Sequence, residues 1–148
     1  VINWAKKEPK GTVLLTTHYM AEADEMCDRV AIMDRGRILA CDSPHTLKEK
    51  LREIPIAKIE VSSTHTDFSF METIPGVVGY SQTRNIQTGI TTLKVMARDE
   101  SVFSDIASMV NKENSKILSI NKAEPTLEDV YISLVGKGFE EAEVSTNE

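Results

Sequence analysis

The chain has 148 residues, of which 41% are hydrophobic and 27% charged, the balance of an ordinary globular protein and not of a disordered or fibrous one. No apolar run approaches the roughly 20 residues a membrane helix needs, and no basic start followed by an apolar core and a small-residue cleavage site opens the sequence, so neither membrane insertion nor export is expected and a cytoplasmic location is. The net charge of −6 is uneven: residues 1–54 carry nine basic and nine acidic side chains, residues 55–148 eight and fourteen. Such an acidic chain repels phosphate backbones, which argues against nucleic-acid binding. Cys27 and Cys41 are too few and too widely spaced for a disulfide scaffold or a zinc cluster and read as reduced, packed thiols.

Residues 1–9 read as a helix with Ile2 and Ala5 on one face, ended by Pro9 and Gly11. Thr12 to Thr17 is a β-branched, nearly continuous apolar run of the kind found where both faces of a strand are covered. His18 follows at its carboxyl end, where ligands sit in open α/β sheets. From Met20 to Cys27 the pattern turns helical, with Met20, Ala23 and Cys27 on one face. Arg29 to Asp34 and Arg37 to Ala40 read as strands joined by a two-residue turn at Arg35-Gly36. Ser43 is the expected N-cap and Pro44 the first-turn residue of a helix carrying Leu47 and Leu51.

The rhythm then changes to strict alternation, with Ala57, Ile59 and Val61 against Lys58, Glu60 and Ser62. A short helix is expected over 67–74, up to Pro75-Gly76, then strands near 77–82 and 90–97 joined by a polar turn through Asn85 and Gly89. Thr91, Leu93, Val95 and Ala97 share a face of the second strand. Asp99 or Ser101 caps a helix with the stripe Val102, Phe103, Ile106, Met109 and Val110, and a strand over 116–120 follows. Thr126 caps a last helix with Leu127, Val130, Tyr131, Leu134 and Val135 on its apolar face, closed by Gly136. From about Ile56 to Asn121 the order strand, helix, strand, strand, helix, strand is that of a ferredoxin-like (split βαβ) domain. The chain is thus expected to divide into residues 1–54, a domain over 55–138 and an acidic tail over 139–148. The first portion is too small to cover a two-faced strand and is expected to be incomplete.

The stretch from Thr12 through His18-Tyr19-Met20-Ala21-Glu22-Ala23-Asp24 and on through Cys27-Asp28-Arg29-Val30-Ala31-Ile32-Met33-Asp34-Arg35-Gly36-Arg37-Ile38 closely resembles the region around the switch histidine in nucleotide-binding domains of ATP-binding cassette (ABC) transporters. The resemblance implies that the strand before His18 belongs to the core sheet, and that His18 is the catalytic switch histidine, contacting the γ-phosphate of ATP between two such domains and helping to position the attacking water. It implies ATP and Mg²⁺ as cofactors of an intact subunit, a second copy of that subunit and a membrane-spanning transporter subunit as partners, and a cytoplasmic place peripheral to the membrane. The ending Glu124-Pro125-Thr126-Leu127-Glu128-Asp129-Val130-Tyr131 resembles the closing helix of accessory domains in drug-export and sodium-export members. The implied fold is an α/β remnant of a P-loop nucleotide-binding domain followed by an α+β ferredoxin-like accessory domain.

No G-x-x-x-x-G-K-[ST] loop occurs in the 148 residues, and backbone N–H groups and the Lys of such a loop are what envelop the phosphates. The chain is therefore expected to be an inactive C-terminal fragment whose uncovered apolar surface makes it dimeric or domain-swapped. His45 and His65 read as surface residues, Arg35 and Arg37 as turn residues, and Glu22-Asp24-Glu25 and Glu128-Asp129 as solvated first-turn carboxylates suited to the helix dipole. Trp4 is open between a docking and a core role. A rival reading from another class is a non-enzymatic module that senses a ligand or pairs subunits. An RNA-binding domain ranks last, because the strands over 56–62 and 90–97 carry no aromatic residue.

Overall fold

In the computed structural model, which describes residues 11–63, 67–135 and 139–140, the strands form two separate sheets, one of two strands and one of five. The helix expected over 1–9, Trp4, His65, Gly136 and residues 141–148 lie outside the described residues.

The expected strand from Thr12 to Thr17 is not formed: these residues have no regular structure, and Val13 is 49% and Leu14 94% exposed. A strand exists only through a neighbour that takes up its N–H and C=O groups, and neither sheet includes this stretch. Helix α1 then runs over Met20–Met26 and buries Ala23. Strands β1 (Val30–Asp34) and β2 (Arg37–Asp42) pair antiparallel, with Ile32 opposite Ala40 and a bulge before Met33. The turn between them has φ of 46° at Arg35 and 76° at Gly36, the two left-handed residues of a type I′ turn, which matches the twist of the flanking strands. Helix α2 (Pro44–Glu49) starts as expected, with Ser43 Oγ accepting from the Thr46 N–H at 3.2 Å and Pro44 in the first turn. It buries Leu47, and Leu51 just beyond it.

The larger sheet contains β3 (Ile56–Ser62), β4 (Val77–Asn85), β5 (Ile90–Ala97), β6 (Lys116–Lys122) and the two-residue β7 (Phe139–Glu140). Their order is β6-β3-β5-β4-β7, antiparallel except where β7 runs parallel to β4. The β4–β5 turn is held by Asn85, whose Oδ1 accepts from the N–H groups of Gln87 and Thr88. Between β3 and β4 the expected helix is a 3₁₀ segment, Ser69–Thr73. Phe68, Met71 and Ile74 are all buried, and their spacing of three is the period of a 3₁₀ helix, not of an α-helix. Helix α3 (Val102–Lys112) buries Val102, Ile106 and Val110. Its entry is shaped by Asp99, whose Oδ1 accepts from the Ser101 N–H at 2.9 Å and from the Ser101 hydroxyl.

Two cores result. The first lies between one face of the larger sheet and α3 with the 3₁₀ segment, and includes Ile59, Val61, Leu93, Val95, Phe68 and Ile106. The second lies on the other face and draws on both sides of residue 54: Ala23, Ile32, Leu47 and Leu51 meet Ile56 and Met96 of the sheet around helix α4 (Leu127–Val135). Helix α4 buries Leu127, Val130 and Ile132, whereas Leu134 is 42% exposed, so the expected apolar face is corrected by about one residue position. The cause is a close approach to β4. A Cβ added at Gly79 would stand 2.4 Å from Ile132 Cγ2, so the missing side chain of Gly79 is what seats Ile132 against the sheet.

Candidate functional site

His18 lies on the exposed bend that joins the 11–17 stretch to α1. Two local contacts shape that bend. Thr17 Oγ1 accepts from the Tyr19 N–H at 3.0 Å, a side-chain turn that Thr supplies by mimicking a backbone acceptor, and the same hydroxyl reaches Glu22 Oε2 at 3.5 Å. Tyr19 then starts the helix, its carbonyl accepting from the Ala23 N–H. The His18 and Tyr19 rings lie with centroids 4.1 Å apart and planes tilted by 35°, so the exposed imidazole rests on an aromatic neighbour.

The 11–19 stretch forms one wall of an open cleft of about 1150 Å³. The opposite wall comes from the β1–β2 hairpin, including Arg29, Met33 and Cys41, and from Leu127 and Tyr131 of α4. Cys41 is exposed, which corrects the expectation of a packed thiol, while Cys27 is half-buried; both are unbridged. Arg29 Nη2 donates to Cys41 Sγ at 3.4 Å. The cleft lining therefore carries the His18 imidazole, the Arg29 guanidinium, the Asp28 carboxylate, the Cys27 and Cys41 thiols and several hydroxyls among mostly apolar residues. Among the described residues no group of three His, Cys, Asp or Glu side chains converges as a metal site would require.

The other singled-out residues stay apart from the cleft. His45 is exposed on α2, with Nε2 4.0 Å from Glu49 Oε1. Asp24 is not simply solvated: it takes two hydrogen bonds from Lys48 Nζ, at 2.7 and 2.8 Å, which ties α1 to α2. Asp129 is corrected further, being 1% exposed. Its Oδ2 accepts from the Thr126 N–H at 2.7 Å and from Lys94 Nζ at 2.5 Å, while Thr126 Oγ1 accepts from the Asp129 N–H at 3.4 Å. This is a capping box with Asp in the third position, made into a buried ion pair by a lysine from β5. The sequence carries half of the signal, in the spacing of Thr126 and Asp129. Lys94 is legible only from register, where it stands directly opposite Lys58, and two like charges so placed need neutralising partners. Lys58 finds Glu60 at 3.5 Å and Lys94 finds Asp129.

Comparison with known proteins decides the family. No family model matches the chain. It is 30% identical over 129 residues to a Nod factor export ATP-binding protein of Rhizobium etli, and 26% identical over 129 residues to the linearmycin resistance ATP-binding protein of Bacillus subtilis, with 87% and 85% of this chain covered. It is also 31% identical over 136 residues to the human ATP-binding cassette sub-family A member 6. The chain belongs to the ATP-binding proteins of ABC transporters. It spans 37% and 40% of the two bacterial relatives and 8% of the human one. Among the described residues, no helix of this ABC protein is long and apolar enough to cross a membrane.

Proposed function

We propose that the chain is the C-terminal part of an export-type ABC ATP-binding subunit, with a portion of the nucleotide-binding domain over residues 1–54, a ferredoxin-like accessory domain over 55–138 to whose sheet β7 (Phe139–Glu140) adds an edge, and an acidic tail beyond it. The observation that carries the reading is the exposed His18 imidazole, set at the rim of a cleft within a chain that aligns over most of its length with ATP-binding proteins. The export direction rests on the names of relatives concerned with resistance and export. The ferredoxin-like reading is supported by the order β6-β3-β5-β4; a 3₁₀ segment in place of the first crossover helix is its departure from that pattern. The exposure of Val13 and Leu14 supports the placement of the 11–17 stretch against parts of the subunit outside these residues.

In the intact subunit, paired with a second copy, a ring nitrogen of His18 donates to a γ-phosphate oxygen and orients the attacking water. The phosphate loop and carboxylates that would hold ATP and Mg²⁺ would come from the rest of the subunit, and the metal would supply charge neutralisation at the phosphoryl group. Hydrolysis drives rearrangement of membrane-spanning partners, with the subunit on the cytoplasmic side. The 148-residue chain by itself does not turn over ATP. The test is His18→Ala in the intact subunit: ATP affinity stays near that of the parent, while hydrolysis falls by about 10²-fold or more, the usual cost of losing one donor to a developing charge. Binding and hydrolysis falling together would assign His18 a structural role and sink the proposal.

A further inference from the structure

We infer that Gly79, Lys94 and Asp129 are positioning residues for the His18 cleft, acting through helix α4, so that the larger sheet controls the shape of the cleft without touching it. Leu127 and Tyr131 form part of the cleft wall, yet the groups that fix their helix lie on the sheet. At its start, Asp129 is locked to Lys94 of β5, which also donates to the carbonyl of Glu124 at 3.2 Å. One turn further on, Ile132 sits in the space that Gly79 leaves open on β4. These two anchors differ in chemistry, one ionic and one steric, and both bear on the same rigid element. From the opposite side α4 meets α1 and α2 in the second core, where the half-buried Cys27 and Tyr131 pack beside Ala23, Leu47 and Leu127. A displacement of α4 has to be taken up there, because a close-packed core transmits strain instead of absorbing it. α1 begins two residues after His18, so the path from the sheet to the imidazole runs through one helix and one core.

The cleft's role with phosphate rests on the reading of His18 given above, but the coupling is measurable without ATP. In the full chain carrying Cys41→Ser, Cys27 is the sole thiol, and its rate of reaction with an aromatic disulfide reports the opening of the α1–α4 contact. Gly79→Ala and Asp129→Asn are expected to raise that rate by about tenfold, as for a local opening below the global one, and to shift the His18 imidazole resonances. Ile106→Val, which loosens the first core, leaves both unchanged. Adding Ile132→Ala to Gly79→Ala removes the clash and returns the rate toward that of Ile132→Ala alone, a non-additivity expected of residues in contact. Gly79→Ala retains every charge, so it decides the matter even if Asp129→Asn does not fold. Unchanged labelling and resonances in Gly79→Ala, or an equal rise in Ile106→Val, would overturn the coupling. A response here together with normal hydrolysis in His18→Ala of the intact subunit would keep the coupling and discard the phosphate role, and the reverse pair would do the opposite.

Discussion

Strand β5 and the stretch from Thr12 to Thr17 have much the same composition, β-branched and apolar, yet Leu93 and Val95 are fully buried while Leu14 is 94% exposed. β5 lies between β3 and β4, with both of its edges paired, and has α3 over one face. The 11–17 stretch has no such neighbours among the described residues. Preference for a strand is thus a statement about fitting a pleated, covered surface, and it is realised only where the partners are supplied. The two segments should accordingly answer mutation in opposite ways.

The largest contrast is between Ile106 and Leu14. Ile106→Ala deletes most of a fully buried side chain and should cost about 2–5 kcal/mol by urea denaturation, the range for such cavities. Leu14→Asp should leave stability within about 0.5 kcal/mol of the parent. It should instead change association. With Val13, Met33 and Ile38 also exposed, the chain is expected to self-associate at micromolar concentration, and Leu14→Asp should shift sedimentation toward the monomer. A stability loss from Leu14→Asp comparable to that from Ile106→Ala would erase the distinction between the two regions.

The same distinction explains what the sequence discloses. The Arg35-Gly36 turn, the Ser43 cap and the alternation in β3 were legible because each is settled within a few residues, by backbone sterics, one hydrogen bond or one pleat. The strand expected from Thr12 to Thr17 is not formed, because its partners are not local. Helix α4 was misread in part for a related reason: Ile132 and Asp129 are buried by a glycine and a lysine some 35 to 53 positions earlier in the chain, and a helical stripe viewed alone gives no hint of either. The 3₁₀ segment was legible in principle, since Phe68, Met71 and Ile74 recur at three. Of the candidate site, His18 came from the sequence alone, while the wall contributed by Leu127 and Tyr131 required the fold.

Within the covered strand one polar atom sharpens the comparison. Thr91 is 1% exposed on the core face of β5, and its Oγ1 has no hydrogen-bond partner among the described residues. A buried hydroxyl without a partner costs about 1–3 kcal/mol of desolvation. Thr91→Val keeps the branched shape and removes that group, so it should raise the urea midpoint, with a gain of about 1 kcal/mol. The corresponding Thr16→Val, in the exposed stretch, should raise nothing. A fall in stability for Thr91→Val would mean that the hydroxyl is satisfied in solution.

The smallest effect expected is electrostatic and lies at the mouth of α3. The Ser101 hydroxyl and N–H bonded to the Asp99 carboxylate hold its pKa below the ordinary carboxylate value, and the Ser69 N–H does the same for Asp67 before the 3₁₀ segment. Both groups therefore release their protons more readily folded than unfolded. Their stabilisation is complete above the unfolded pKa of about 3.9 and is lost as the pH falls through the lower folded value. Both are exposed, so water and salt screen the effect and hold it well under that of a buried pair. Urea midpoints measured from about pH 6 down to about pH 2.5 should fall less steeply in Asp99→Asn than in the parent over the acid limb only, with no change in slope near neutrality. A change near neutrality would point to groups other than these carboxylates and detach the α3 entry from the acid response of the sheet.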